Sequence, residues 1–280
     1  MAWPTTDFPL VCDVTGLEHV VSVGLPVRHG SLERMPLLVC LDGPWVFGTT
    51  LDATRIMSMS GDAPEAAVVG LSFADRSMGE YLRQRARWYT PTPWVPPTIT
   101  GVKGIVAEEC GRAADLHRFI AEQLLPLVTA EHLGGVEVSE RWLIGHSFSA
   151  LFGLRTLLTE PSLFDKWLLA SPSIWWDDRS VLAYEAEYAA ANDDLPATVF
   201  TCYGEAERQP EEGTDFRMGD NVEELVVALR GRRYPGLQLS HQVLPGDAHA
   251  SSIGAAISKG LRALLSRPGV DAERTNPGRV

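Results

Sequence analysis

Trp142-Leu-Ile-Gly145-His146-Ser147-Phe148-Ser149-Ala150 is the stretch that decides how this chain folds. An apolar strand pattern ends at Ile144 and a helical pattern begins at Phe148. Between them stands a serine with small residues two positions away on each side. This is the strand-turn-helix context of a nucleophile elbow, G-x-S-x-G in its usual form. The turn strains the serine backbone, so both flanks must be small. The hydroxyl is then exposed at the carboxyl edge of a sheet, and the helix amino terminus behind it offers free N–H groups and partial positive charge. Ser149 replaces the second glycine, which departs from the letter of the pattern and keeps its steric logic. The plainer alternative is a serine that merely caps a helix.

Working outward, apolar runs alternate with helical patterns. Strands are expected over residues 18–24, 37–41, 67–71, 141–144, 166–170, 197–203 and 237–244. Several are continuously apolar, as strands buried on both faces are. Helices are expected over 108–128, 148–158, 181–191, 220–230 and 251–265. In the first of these, Ala113, Leu116, Phe119, Ile120, Leu124 and Leu127 form one apolar stripe. Such alternation predicts an α/β fold, with a mostly parallel central sheet and helices on both faces. The expected organisation is a single domain over 1–266, a long active-site loop over 72–104 and a flexible tail over 267–280.

The chain has 280 residues, 45% of them hydrophobic, enough for one sizeable core. Its formal net charge of -12 repels phosphate backbones, so nucleic acid is not an expected partner. No uncharged apolar run is long enough to span a bilayer, so no membrane partner is expected. The start of the chain, Met1 to Asp7, shows no basic region followed by an apolar one, and Cys12, Cys40, Cys110 and Cys202 form no CxxC pair. The expectation is a cytoplasmic protein with reduced thiols. Neither a zinc-protease nor a phosphate-loop motif occurs, so no metal or nucleotide site is expected.

A serine needs a base, and the elbow fold orders its partners serine, acid, histidine along the chain. Only His241 and His249 follow Ser147. His241 falls inside a strand, whereas His249 lies just beyond it, in Pro245-Gly-Asp-Ala-His249, at the edge where Ser147 belongs. For the acid, the strand ending at Tyr203 runs into Gly204-Glu205-Ala206-Glu207, and spacing alone admits either glutamate. Asp247 is too near His249 in sequence to be a strong rival.

Further motifs sharpen the reading. Residues 145–154 (GHSFSALFGL), Phe164-Asp-Lys-Trp167 and Ser171-Pro-Ser-Ile-Trp-Trp-Asp-Asp178 resemble the putative esterase family of α/β-hydrolases. That family includes enterochelin (trilactone siderophore) esterases, esterase D and related carboxylesterases. Leu41-Asp42-Gly43, Arg85-Ala-Arg87 with Thr90-Pro-Thr92, and Gly246-Asp-Ala-His249 carry the same likeness, which runs from Pro36 to Leu265. It implies an α/β-hydrolase fold, no bound cofactor, Ser147 as nucleophile, His249 as base and Glu207 rather than Glu205 as acid. It also implies one oxyanion donor at the N–H of Phe148. The second would come from the residue after Leu-Asp-Gly, which here is Pro44 and has no N–H. Gly43 or Trp45 must then supply it, or the hole has one donor fewer. Trp88 also departs, standing where relatives often carry an aspartate.

Trp45, Trp88, Tyr89, Trp94, Trp175 and Trp176 fall on segments expected near the catalytic edge, where they suggest an aromatic pocket for an apolar or aryl acyl group; ordinary packing is the alternative. Arg85 and Arg87 have the forked geometry to take a substrate carboxylate, or to tie down the long loop through internal pairs. His146 normally points away from the nucleophile and is assigned no catalytic role. The expected function is hydrolysis of a carboxylic ester, lactone or thioester through an acyl-enzyme. The expected partner is that small-molecule ester or acyl substrate, siderophore esters being one class the resemblance admits, and a homodimer is compatible with the sequence. Two alternatives stand beside it. One is an acyltransferase or cyclase using the same triad. The other is a binding homologue without hydrolytic activity, kept open by Pro44 and Ser149.

Overall fold

The structure, a computed structural model, describes residues 5–26, 29–75, 77–96, 104–209 and 216–265. Eight strands form one sheet in the order β1-β2-β4-β3-β5-β6-β7-β8. They are β1 (Thr5–Val11), β2 (Glu18–Gly24), β3 (Arg34–Cys40), β4 (Ala67–Phe73), β5 (Glu137–His146), β6 (Lys166–Ala170), β7 (Thr198–Gly204) and β8 (Gln238–Leu244). From β4 to β8 every neighbouring pair is parallel; β1 and β2 join antiparallel at one edge. Short strands that are buried throughout, such as Ala67–Phe73, follow from having helices on both faces.

The pleat sorts side chains into two cores. Leu37, Val39, Leu143, Leu169 and Val199 face one layer. Leu38, Cys40, Trp142, Ile144, Leu168, Ala170, Phe200 and Cys202 face the other. The second layer holds the two helices α1 (Gly43–Met59) and α9 (Ser252–Leu265). Opposite lie α2 (Met78–Tyr89), α3 (Ala113–Phe119), α4 (Leu125–Leu127), α5 (Phe148–Thr159), the single turn α6 (Trp176–Arg179), α7 (Val181–Ala191) and α8 (Met218–Arg232). No helix of the described residues is long and apolar enough to cross a membrane.

All seven expected strands are present. The departures from expectation have local causes. β1 is an additional edge strand, mostly solvent-facing and interrupted by Pro9, so it carries little apolar signal. α1 holds Gly48, Thr49, Thr50 and Thr54, which are poor helix formers, and owes its start to Pro44 in its first turn. The helix expected from residue 108 begins at Ala113, and around Pro126 it widens into π-helical turns at Ile120–Leu124 and Val128–His132. The segment 72–104 is not one long loop, since it contains α2. The expected tail 267–280 lies outside the described residues.

Candidate active site

The sheet's carboxyl edge concentrates unusual backbone. Asp42, Ser147 and Ser171 follow the adjacent strands β3, β5 and β6, and their φ values are 56°, 63° and 44°. Such conformations cost on the order of 1–3 kcal/mol each for non-glycine residues and persist only where their surroundings enforce them. Ser147, at φ 63° and ψ -118°, is the turn between β5 and α5. Its N–H donates to the Ala170 carbonyl at 3.0 Å, and its own carbonyl accepts from Leu151 at 2.9 Å and Ser173 at 3.2 Å. Gly145 is required because a Cβ there would meet the Ser149 carbonyl oxygen at 2.6 Å. Ser149 is fully buried and its hydroxyl serves as a brace. It accepts from the His146 N–H at 2.9 Å and donates to Asp42 Oδ2 at 2.7 Å.

Asp42 leads from that brace to Arg85. The guanidinium of Arg85 binds both Asp42 oxygens, at 2.8 and 3.0 Å, and donates to the His146 carbonyl at 3.2 Å. Burial alone would lower the Arg85 pKa; the Asp42 charge outweighs it and raises the pKa above its ordinary value. Arg85 is therefore an internal strut, and this corrects its expected place among substrate-binding residues. Arg87 is corrected likewise, being paired with Glu109. Trp88 donates to Gln84 at 2.7 Å and lies under Arg112, so a cation–π contact stands at the position where relatives often carry an aspartate.

The triad candidates converge. His249 Nδ1 lies 2.8 Å from Glu207 Oε2. A carboxylate only accepts, so Nδ1 carries a proton, and in the neutral ring Nε2 is the nitrogen left open as base. Glu207 Oε1 accepts from the Ser171 hydroxyl and the Gly204 N–H, both at 2.7 Å. Burial would raise the Glu207 pKa, but the hydrogen bonds from His249, Ser171 and Gly204 outweigh it and hold the carboxyl below its ordinary value. Glu205 is turned elsewhere, accepting from Gly246 N–H at 3.0 Å, and the Asp247 carboxylate accepts from Ser251. A Cβ on Gly204 would meet the Asp247 carbonyl oxygen at 2.4 Å, so the glycine lets the histidine loop close onto β7. His241, on β8, packs against Tyr203 of β7 and takes no part.

His146 has a part the sequence did not reveal. Its Nε2 lies 2.9 Å from the His249 carbonyl oxygen, an acceptor only, so this nitrogen donates. Burial drives its pKa well below the ordinary value, and the neighbouring His249 and Arg85 push the same way. A neutral imidazole thus ties the elbow to the loop that carries His249.

Ser147 and His249 open onto one cavity of about 110 Å³, whose other walls include Ser173, Trp175, Phe216, Arg217 and Met218. The Ser147 hydroxyl lies 3.2 Å from that of Ser173, and among the described residues no hydrogen bond joins it to the His249 ring. Such contacts are often loose before substrate arrives. Trp175 stacks on Phe216 at 4.2 Å and forms an apolar wall. Trp176 is corrected from wall to core: it is buried, donates to Thr92 at 3.1 Å and meets Trp94 edge-on. Trp45 packs on Tyr81 and under Arg85, outside the cavity. Its N–H donates to the Asp42 carbonyl at 2.9 Å as part of the first turn of α1, so it is also corrected as an oxyanion donor. With Pro44 lacking a donor, Gly43 N–H is what this loop retains, beside Phe148 N–H at the start of α5. Ser173 was missed, although the Ser171-Pro-Ser173 motif held the signal that could have found it. Phe216, Arg217 and Met218 carried no signal, as they adjoin no recognisable motif.

Residues 13–228 match the sequence family described as "Putative esterase". The ferri-bacillibactin esterase BesA of Bacillus subtilis (strain 168) is 27% identical over 242 residues, covering 84% of this chain and 80% of that protein. The siderophore enterobactin esterase of Emericella nidulans is 33% identical over 202 residues, covering 64% of this chain and 65% of its own. Among solved structures, the siderophore hydrolase EstA from Aspergillus nidulans matches with a TM-score of 0.82 at 25% identity, over 94% of this chain and 95% of its own.

Two measurements check this geometry. Arg85→Met strands the buried Asp42 charge and is expected to lower stability by about 3–5 kcal/mol in urea denaturation; a loss near zero would mean that the pair braces nothing. Glu207 has a folded pKa below its ordinary 4.5, so its contribution is complete above that pH and fades as pH falls below it. Glu207→Gln should therefore make the fall of stability below pH 4.5 shallower, and an unchanged slope would refute the assignment.

Proposed function

The chain belongs to the "Putative esterase" family and is an ester-hydrolysing enzyme; from that premise we propose that it is a serine hydrolase working through an acyl-enzyme on Ser147. The observation that carries this reading is the 2.8 Å pairing of His249 with a buried Glu207, at a cavity that Ser147 shares. Ser147 Oγ attacks the substrate carbonyl carbon, and its proton passes to His249 Nε2. Glu207 holds the ring in the tautomer that leaves Nε2 free and stabilises the imidazolium that forms. The oxyanion is met by the N–H groups of Phe148 and Gly43. Removing one such donor costs about two to three orders of magnitude in rate, which is why Gly43 matters once Pro44 and Trp45 offer none. His249 then protonates the departing alcohol, and water repeats the sequence to release the acid.

For substrate, we propose an ester or lactone of the siderophore class. The relatives named for bacillibactin and enterobactin esters support this. The cavity of about 110 Å³ would take the part of such a substrate around the scissile carbonyl. The Trp175–Phe216 wall suits an apolar or aryl portion of it.

The test pairs wild type with Ser147→Ala. A fluorophosphonate probe should give one adduct on the wild type and none on the variant, by intact mass. Iron-loaded enterobactin should be opened by the wild type alone, with the gain of one water per bond cleaved. Turnover of p-nitrophenyl esters without opening of the trilactone would overturn the siderophore assignment and leave the hydrolase. Neither adduct nor turnover would bring forward the non-hydrolytic reading.

A further inference from the structure

The corner Ser171-Pro172-Ser173, between β6 and α6, touches both ends of the proposed relay. Ser171 is fixed by its N–H, which donates to the Cys202 carbonyl at 2.7 Å, and its hydroxyl donates to Glu207 Oε1. Two residues on, Ser173 N–H donates to the Ser147 carbonyl, and Ser173 Oγ lies 3.2 Å from Ser147 Oγ. Ser173 is 1% exposed, yet it lines the cavity. Its carbonyl accepts from Trp176 N–H at 3.1 Å, so the corner is pinned on its far side too. These backbone bonds fix where the Ser173 Cα stands, and its buried hydroxyl faces the reacting oxygen.

We propose that Ser173 is a further catalytic residue, whose hydroxyl donates to Ser147 Oγ and, in the acyl-enzyme, to the ester oxygen that Ser147 Oγ becomes. The proposal rests on the acyl-enzyme reading above. Proton bookkeeping sets the direction of the bond. His249 Nδ1 holds its proton for Glu207, so when Ser147 turns to react its single proton goes to Nε2, a bond not yet formed in the resting geometry. Ser147 then has only lone pairs to offer Ser173, and Ser173 is the donor. Among the described residues Ser147 Oγ is the one hydrogen-bond partner of the Ser173 hydroxyl, so no rival acceptor competes.

The effect belongs mainly to deacylation. Water adds to the acyl carbonyl carbon and gives one proton to His249 Nε2. The tetrahedral intermediate then collapses: the C–Oγ bond breaks, its electron pair stays on Ser147 Oγ, and His249 returns the proton to that oxygen. Negative charge gathers on Oγ as the bond breaks, and a donor already in place stabilises it. Ser173 keeps its own proton throughout. In acylation Oγ gives up electron density, so the same hydrogen bond helps little. Hydrogen bonds to charged groups contribute enough that losing one slows a step about ten- to a hundredfold.

Stopped-flow hydrolysis of p-nitrophenyl acetate, with intact mass of the quenched enzyme, separates the two steps. Ser173→Ala should acylate at a rate within a few-fold of wild type, accumulate acetylated Ser147 and release acetate about tenfold or more slowly. Ser173→Cys, nearly isosteric and a weak donor, should behave in between, and it provides the comparison if the alanine variant does not fold. Equal slowing of both steps would mean that the corner is merely structural and would overturn the proposal. So would a wild-type deacylation rate in both variants, even with Ser147 acetylated as expected. If the wild type itself forms no adduct on Ser147, the acyl-enzyme reading fails and takes this one with it.

Discussion

One strained residue governs the arrangement: Ser147, held at φ 63° and ψ -118° between a strand and a helix. A lone serine would relax from that conformation. Here Gly145 leaves room for the turn, and Ala170 and Ser173 bond the serine's backbone on the β6 side. On the β3 side, Ser149, Asp42 and Arg85 form a buried chain that also grips the His146 carbonyl. The strain is thus enforced from both neighbouring strands. The same chain fixes Asp42 at the start of α1, which sets where Gly43 lies relative to Phe148. The serine in place of the second glycine of the elbow is therefore part of the brace. Pro44 has a comparable explanation, since it opens α1, and the donor it lacks is left to Gly43.

Charge is distributed with similar economy. The Arg85 cation is matched by Asp42 and kept off the cavity. His146 is buried and neutral beside His249, so it adds a hydrogen bond without adding a charge that would oppose an imidazolium. Glu207 is shielded from water and kept ionised by three donors. The negative charge facing His249 is thus fixed in place, which is what the proposed relay asks of preorganised electrostatics.

The parts legible in the sequence were those governed by local rules. Apolar runs announced seven strands, because the central ones are buried on both faces and are therefore mostly apolar, such as Ala67–Phe73. The elbow, His249 and the Glu205/Glu207 pair followed from strand ends, where the fold must place them. β1, α1 and α2 were not visible: β1 is an exposed edge strand, α1 is rich in Thr and Gly, and the buried face of α2 includes Gln84 and Arg85, so it carries few apolar residues. Arg85 and Arg87 were read toward substrate or internal pairs, and both are paired internally, Arg85 in the core and Arg87 nearer the surface, while Trp176, read toward substrate or packing, is buried; a sequence shows that a fork or a ring is present but not which partner it meets. Trp45 failed as a donor for a backbone reason, since α1 begins at Gly43 and uses the Trp45 N–H in its first turn. The roles of Ser149 and His146 depend on contacts across more than a hundred residues and had no local signature.

The most direct measurement of whether this edge is an esterase centre is a crystal structure of the enzyme after reaction with a fluorophosphonate. The expected result is a phosphorus–Oγ bond to Ser147, with the phosphoryl oxygen accepting from the N–H groups of Phe148 and Gly43 and His249 Nε2 turned toward the adduct. A phosphoryl oxygen lying against Pro44 without a second N–H, or an adduct on any other residue, would contradict it.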